Sequence, residues 1–220
     1  MTLWYFNIND FPDEQIQDVL LNLPESIALE IDRYKFNDDK KYRLISRLLI
    51  QKYVLETSSV WDWEDWRRTE NHKPFFENGP FFNISHSGKI VIVGFSTVFE
   101  LGVDIEEMKD NDAKSLSSSF HKDEVFFLEK NEFNQEHFYS IWTRKEALLK
   151  AIGIGFLEGL NQISVLEDIV HYKNDWFITE IDLVKNYRCS ICTAQQINNI
   201  NSQQIDYNTL NKFINEKILL

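Results

Sequence analysis

Apolar residues recur along the chain at strand and helix spacings, and they divide it into two series of elements in similar order. Thr2 to Ile8 alternates as a strand does, and Pro12-Asp13-Glu14 opens a helix whose Ile16, Val19, Leu20 and Leu23 follow helical spacing. A longer helix is expected after Asn37-Asp38-Asp39, with Tyr42, Ile45, Leu48, Leu49 and Tyr53 inward. Trp61-Asp-Trp63-Glu-Asp-Trp66 alternates like a strand. Asn83 to His86, Ile90 to Ser96 and Phe99 to Glu106 read as strands, with turns at Gly88 and near Thr97. The second half then begins again. Strand Leu101 to Glu106 leads through Phe120-His-Lys-Asp123 to helices, as the first strand leads through Phe36-Asn-Asp-Asp39. Glu136 to Ile152 is a strong helix, with Phe138, Ile141, Trp142, Leu148, Leu149 and Ile152 as its apolar side. Short strands are expected near Ile163 to Leu166, Trp176 to Thr179 and Tyr187 to Ala194. A loop over the Asn/Gln-rich Gln195 to Gln204 and a last helix, Tyr207 to Lys217, follow. The pattern predicts an α+β fold of two lobes, residues 1–100 and 101–220.

Composition permits this. Of 220 residues, 43% are hydrophobic, with 17 Phe and 6 Trp, enough for two small cores, while 7 Gly and 4 Pro are too few and too scattered for a long linker. The first 32 residues hold no Lys or Arg, and no apolar run is long enough to span a bilayer, so a cytoplasmic protein is expected. A net charge of −12 disfavours nucleic-acid binding. Between Arg33 and Tyr53, however, seven basic residues (Arg33, Lys35, Lys40, Lys41, Arg43, Arg47, Lys52) face only Asp38 and Asp39, an island suited to a small polyanion. Cys189 and Cys192 form one CxxC. In a strand, residues three apart point to opposite faces, so these read as two reduced thiols rather than a zinc or redox pair.

Three patterns carry chemistry. In Gly102-Val-Asp104-Ile-Glu106 the acids alternate with apolar residues, so both carboxylates leave one face of a strand. Either that face is solvated, or a hard oxygen-seeking cation such as Mg²⁺ joins the two anions. Trp142, Glu146 and Lys150 follow at i,i+4 steps on one helix face, which is either a common surface pair or a third carboxylate and a lysine lined up for use. Phe82-Asn-Ile-Ser85-His86-Ser-Gly88 puts hydroxyls, an imidazole and a glycine at a strand end, a usual place to hold phosphate. Ser85 and His86 point to opposite faces and no GxSxG is present, which excludes a serine-hydrolase reading. Lys73-Pro74 adds a cation on a stiff segment.

In this order and spacing, Lys73-Pro74, FNISHSG (Phe82 to Gly88), GVDIE (Gly102 to Glu106) and WTRKEALLKAIG (Trp142 to Gly153) resemble the signature of Sfp-type 4′-phosphopantetheinyl transferases. The resemblance implies a pseudo-dimer of two similar α/β lobes with the active site and coenzyme A in the cleft between them. The phosphoadenosine end would lie on the first lobe, and the metal, base and docking sites on the second. It implies that Asp104, Glu106 and Glu146 surround Mg²⁺ and that Lys150 and Lys145 stand near the pyrophosphate. Ser85, His86, Lys73 and Arg43 would hold the phosphoadenosine end. Family members often carry basic residues early in the chain for the 3′-phosphate, and here none precedes Arg33.

The implied reaction is attack by a serine of an apo acyl or peptidyl carrier protein on the β-phosphorus of coenzyme A, releasing 3′,5′-ADP. Glu146, or a water it orients, is the base and Lys150 offsets phosphoryl charge. A monomer is expected, because both halves lie in one chain. Docking is expected on Phe120, Phe126 and Phe127, after the Asp110 to Ser119 loop. A Mg²⁺-dependent phosphohydrolase and a non-catalytic coenzyme A or nucleotide-binding module are the alternatives; the module has little need of three acids together.

Overall fold

The computed structural model describes residues 1–57, 61–153 and 161–219. Strands β1 (Thr2–Asn7), β4 (Phe81–Ser87), β5 (Ile90–Ser96) and β10 (Asn201–Gln204) form one sheet in the order β10-β1-β5-β4. Strands β6 (Leu101–Glu107), β7 (Ile169–Tyr172), β8 (Asn174–Glu180) and β9 (Tyr187–Thr193) form a second in the order β6-β9-β8-β7. A small hairpin of β2 (Trp66–Arg68) and β3 (Pro74–Phe76) stands apart from both. Each sheet carries one long helix, α3 (Asn37–Thr57) on the first and α6 (Gln135–Ile152) on the second.

Strand alternation sorts the apolar residues into three cores. Trp4, Phe6, Val91, Val93 and Phe95 turn toward Leu44, Ile45, Leu48 and Leu49 of α3. Leu3, Ile90 and Ile92 turn the other way and meet Leu101, Val103, Ile105, Cys189 and Ile191, so the two sheets bury a shared face. On the far side of the second sheet, Ile178 and Cys192 pack beneath Ala147, Leu148 and Ala151 of α6. The result is a helix, two sheets and a second helix in layers. The approach of α6 to β6 is close: a Cβ on Gly102 would lie 2.0 Å from the carbonyl oxygen of Ala147. Only glycine lets the strand and helix meet there, and this contact brings Glu146 and Lys150 against Asp104.

Four expectations change. The second lobe does not extend to residue 220. β10 pairs in parallel with β1, and helix α7 (Tyr207–Lys217) packs Leu210, Phe213 and Ile214 into the first core. The expected loop Gln195 to Gln204 therefore ends in an edge strand, invisible to periodicity because all four of its residues are exposed. Ile163 to Leu166 is not a strand: Ile163 and Val165 are buried, but side chains of Lys145, Arg144 and Glu124 take up their backbone groups. Trp61 to Trp66 is a short 3-10 turn at Trp63–Asp65 leading into β2, held by edge contacts of Trp61 and Trp66 on Phe76. A helix that the spacing does not announce, α2 (Glu25–Asp32), follows α1 (Gln15–Leu20).

Candidate active site

Between α3, the β2–β3 hairpin, β4 and the C-terminal end of α6 lies a cleft of about 730 Å³. Arg33, Arg43 and Arg47 line it from the α2–α3 side, Arg68 and Lys73 from the hairpin, and Lys150 from α6. Glu30 is the one acid among the described residues that line it. On a chain of net charge −12, this concentration of cations marks a site for a polyanion.

The six cations are not equivalent. Glu30 bridges two of them, accepting from Arg47 Nη2 at 2.9 Å and from Arg68 Nη2 at 2.6 Å. Lys73 Nζ lies 2.8 Å from Glu100 and also reaches the carbonyls of Leu101 and Ala151, so it ties the hairpin to the second lobe. Asn71 does the same, donating to the carbonyl of Gly153 at 2.7 Å. Arg43 lies 3.5 Å over the ring of Tyr34. Arg33 and Arg43 have no carboxylate partner among the described residues, which leaves their charge for an incoming anion.

His86 lines the same cleft and stacks on Tyr42, ring centroids 4.1 Å apart. Although part of the ring is exposed to the cleft, the packing around it, with Lys150 and Arg43 adding to it, lowers its imidazole from the ordinary value. The Tyr42 hydroxyl donates to the carbonyl of Gly88, and burial pushes its phenol up to about 12. Gly88 takes φ +56 at the β4–β5 turn, where a Cβ would strike Glu107 and Tyr187.

At the α6 end three carboxylates gather. Asp104 is buried; its Oδ1 accepts from Lys150 Nζ at 2.6 Å and from Ser85 Oγ at 2.8 Å, while its Oδ2 is buried with no hydrogen-bond partner among the described residues. Glu106, one strand period on, accepts from Ser87 Oγ at 2.6 Å. Its face is the one covered by α6, so the solvated alternative does not apply. Burial raises the Asp104 carboxyl; for Glu106, burial and then the charge of Asp104 do so. Glu146 is pushed up to about 7, chiefly by burial, with Asp104 and Glu106 adding repulsion and Lys150 opposing it. Among the described residues no three such groups stand close enough to cage a metal by themselves. Mg²⁺ does not require a cage, since it commonly takes one or two carboxylates together with phosphate oxygens and water. An all-oxygen donor set, that buried carboxylate oxygen and mutual repulsion fit such a cation.

The structure brings Arg43, Lys73, His86 and Lys150 to the cleft and sets Asp104, Glu106 and Glu146 around its α6 end. Ser85 lies at the same end, but bonded to Asp104 and Lys150. Lys145 lies elsewhere. Its ammonium is buried against Glu124 at 2.8 Å and donates to the carbonyl of Ile163, because five helical residues before Lys150 turn it well away from the cleft. Phe120 is likewise core, stacked on Phe138, while Phe126 is 55% exposed and Phe127 half-buried. Glu30, Arg68, Asn71 and His72 were not singled out by sequence; Arg33 and Arg47 were visible only as part of the basic island. Cys189 and Cys192 are buried on opposite faces of β9, and burial raises both thiols.

Residues 100–192 match the family model described as the 4′-phosphopantetheinyl transferase superfamily, and residues 12–97 one described as 4′-phosphopantetheinyl transferase, N-terminal. A 4′-phosphopantetheinyl transferase of Aneurinibacillus migulanus is 30% identical over 171 residues, 73% of this chain and 72% of that protein. The 4′-phosphopantetheinyl transferase HetI of Nostoc sp. is 28% identical over 173 residues, 74% of this chain and 72% of HetI. An L-aminoadipate-semialdehyde dehydrogenase-phosphopantetheinyl transferase of Rattus norvegicus is 32% identical over 143 residues, 57% of this chain but 46% of the rat protein. With a cationic cleft between two lobes, an acidic cluster at its end and these matches along both halves, the chain belongs to the 4′-phosphopantetheinyl transferase superfamily, enzymes that move phosphopantetheine from coenzyme A to a carrier protein.

Proposed function

We propose that the chain acts as a monomeric, cytoplasmic enzyme of the holo-[acyl-carrier-protein] synthase type, with Mg²⁺ at the Asp104–Glu106–Glu146 cluster. The observation that carries this reading is Lys150. It lines the cationic cleft and, 2.6 Å from Asp104, joins that cleft to the carboxylates. Among the described residues no helix is long and apolar enough to cross a membrane.

Arg33, Arg43 and the stacked pair Tyr42–His86 offer charge and a flat aromatic surface to the phosphoadenosine end of coenzyme A. The Arg47–Glu30–Arg68 bridge holds the hairpin wall in place. Lys150 neutralises charge on the pyrophosphate. Asp104, Glu106 and Glu146 would hold Mg²⁺, which when bound supplies Lewis-acid stabilisation of phosphoryl oxygens. The carrier serine Oγ forms a bond to the β-phosphorus as the bond to the bridging oxygen breaks, and 3′,5′-ADP leaves with that electron pair. The serine proton passes to Glu146 or to a water it orients. Its carboxylate would take the proton directly or through that water.

Incubation with coenzyme A, Mg²⁺ and a panel of apo acyl and peptidyl carriers, followed by weighing each carrier, tests the reading. Addition of one phosphopantetheine to at least one carrier is expected; no addition to any would remove it.

A further inference from the structure

Among the described residues, strand β6 ends its sheet, bonded to β9 on one side only. The N–H groups on its other edge need partners, and they find them in side chains of β4 rather than in another strand. Val103 N–H donates to Asn83 Oδ1 at 2.9 Å, Ile105 N–H to Ser85 Oγ at 3.4 Å, and Glu107 N–H to Ser87 Oγ at 3.1 Å. The rungs fall two residues apart on both strands, because alternate side chains of β4 face the same way. In two of them the hydroxyl also reaches a carboxylate of the preceding residue: Ser85 donates to Asp104 at 2.8 Å and Ser87 to Glu106 at 2.6 Å. The Asn83 rung has no such carboxylate, since Gly102 precedes Val103.

A serine hydroxyl has one proton to donate and two sites to accept. Ser85 commits its proton to Asp104 and accepts from Ile105 N–H and, at 3.0 Å, from Lys150 Nζ. Nothing remains for it to donate to a phosphate oxygen. Ser87 commits its proton to Glu106 in the same way.

We propose that Ser85 and Ser87 are positioning residues for the metal carboxylates, their hydroxyls holding Asp104 and Glu106 rather than coenzyme A: each fixes one oxygen of its carboxylate, and at Asp104 the other is left for the divalent cation. That oxygen is Oδ2, buried with no hydrogen-bond partner among the described residues. The proposal rests on the reading of Asp104 and Glu106 as metal carboxylates.

The test counts bound metal directly. Free manganese(II) is followed by electron paramagnetic resonance as enzyme is added with saturating coenzyme A and no carrier, so that no turnover occurs. Ser85→Ala and Ser87→Ala should each weaken manganese binding by about 10-fold or more, the usual effect of removing a partner of a metal ligand. Ser87→Thr keeps the hydroxyl and should restore it. Asn83→Ala removes a rung without a carboxylate; it should lower the melting temperature yet leave manganese affinity near that of the parent protein. If Asn83→Ala weakens manganese as much as the serine variants, the effect is loosening of the lobe seam and the proposal is overturned. Equally, it is overturned if Asp104→Asn and Glu106→Gln weaken manganese while both serine variants bind it normally; the metal reading itself then stands. Manganese affinity unmoved by Asp104→Asn and Glu106→Gln would instead remove that reading, and the proposal with it. Should Ser85→Ala not fold, the less buried Ser87 decides.

Discussion

Replacing Glu146 by Gln separates the charge of this residue from its shape. In the metal-free protein its carboxyl is displaced from an ordinary 4.5 to about 7, mainly by burial. At about 1.4 kcal/mol for each tenfold change, that distance corresponds to about 3 kcal/mol. Glu146 is only half-buried, so water screens part of this and about 2 kcal/mol is the expected effect. The folded state holds the proton more tightly than the unfolded state. Stability from this group is therefore complete below about 4.5 and is lost as pH rises through about 7. Without metal, Glu146→Gln should be more stable than the parent at pH 8 by about 2 kcal/mol and nearly equal to it at pH 5, by urea unfolding. Adding Mg²⁺ and coenzyme A should reverse the order at pH 8, because the parent then gains a ligand for the cation that the variant lacks. Single-turnover transfer by the variant should fall by about 10² to 10⁴, the range for a missing general base. Equal urea midpoints at pH 8 without metal, together with a full transfer rate, would refute the reasoning.

Lys150→Ala removes the ammonium shared by the cleft and Asp104, so calorimetry should find weaker coenzyme A binding along with slower transfer; unchanged affinity would take Lys150 off the pyrophosphate. Lys145→Met leaves Glu124 buried without its 2.8 Å partner. It should cost about 3 kcal/mol or more of stability while coenzyme A affinity holds at a temperature where the variant is folded. A loss of affinity without loss of stability would return Lys145 to the site. Cys189 and Cys192, buried with raised thiols, should react with a colorimetric thiol reagent only after denaturant is added.

The parts of the site that were legible in sequence are those set by local period. Alternation alone put Asp104 and Glu106 on one face of β6, and i,i+4 spacing put Glu146 and Lys150 on one stripe of α6. Gly102 was visible within that motif, though not as the contact that lets the helix reach the strand. What was not legible depends on partners distant in the chain. Lys145 reads like a second site lysine until Glu124 of α5 (Lys122–Lys130) takes it. The serines of β4 read as phosphate holders until β6, about twenty residues on, supplies both the N–H groups and the carboxylates they bind. Glu30 gives no sign that it will bridge Arg47 and Arg68 from two other elements. The strand Asn201–Gln204 has no apolar face, so its pairing with β1 leaves no trace in the pattern, although the apolar stripe of α7 that follows it was plain.

The central claim is that the cationic cleft and the carboxylate cluster act together to transfer phosphopantetheine, rather than to hydrolyse coenzyme A or merely bind it. Quenching a single-turnover reaction and measuring 3′,5′-ADP and holo-carrier in the same sample tests this most directly. The account predicts equal amounts of the two, neither formed when the apo carrier is omitted. Release of 3′,5′-ADP without carrier would identify a hydrolase, and coenzyme A bound but left intact beside apo carrier would identify a binding module; either result would contradict the account.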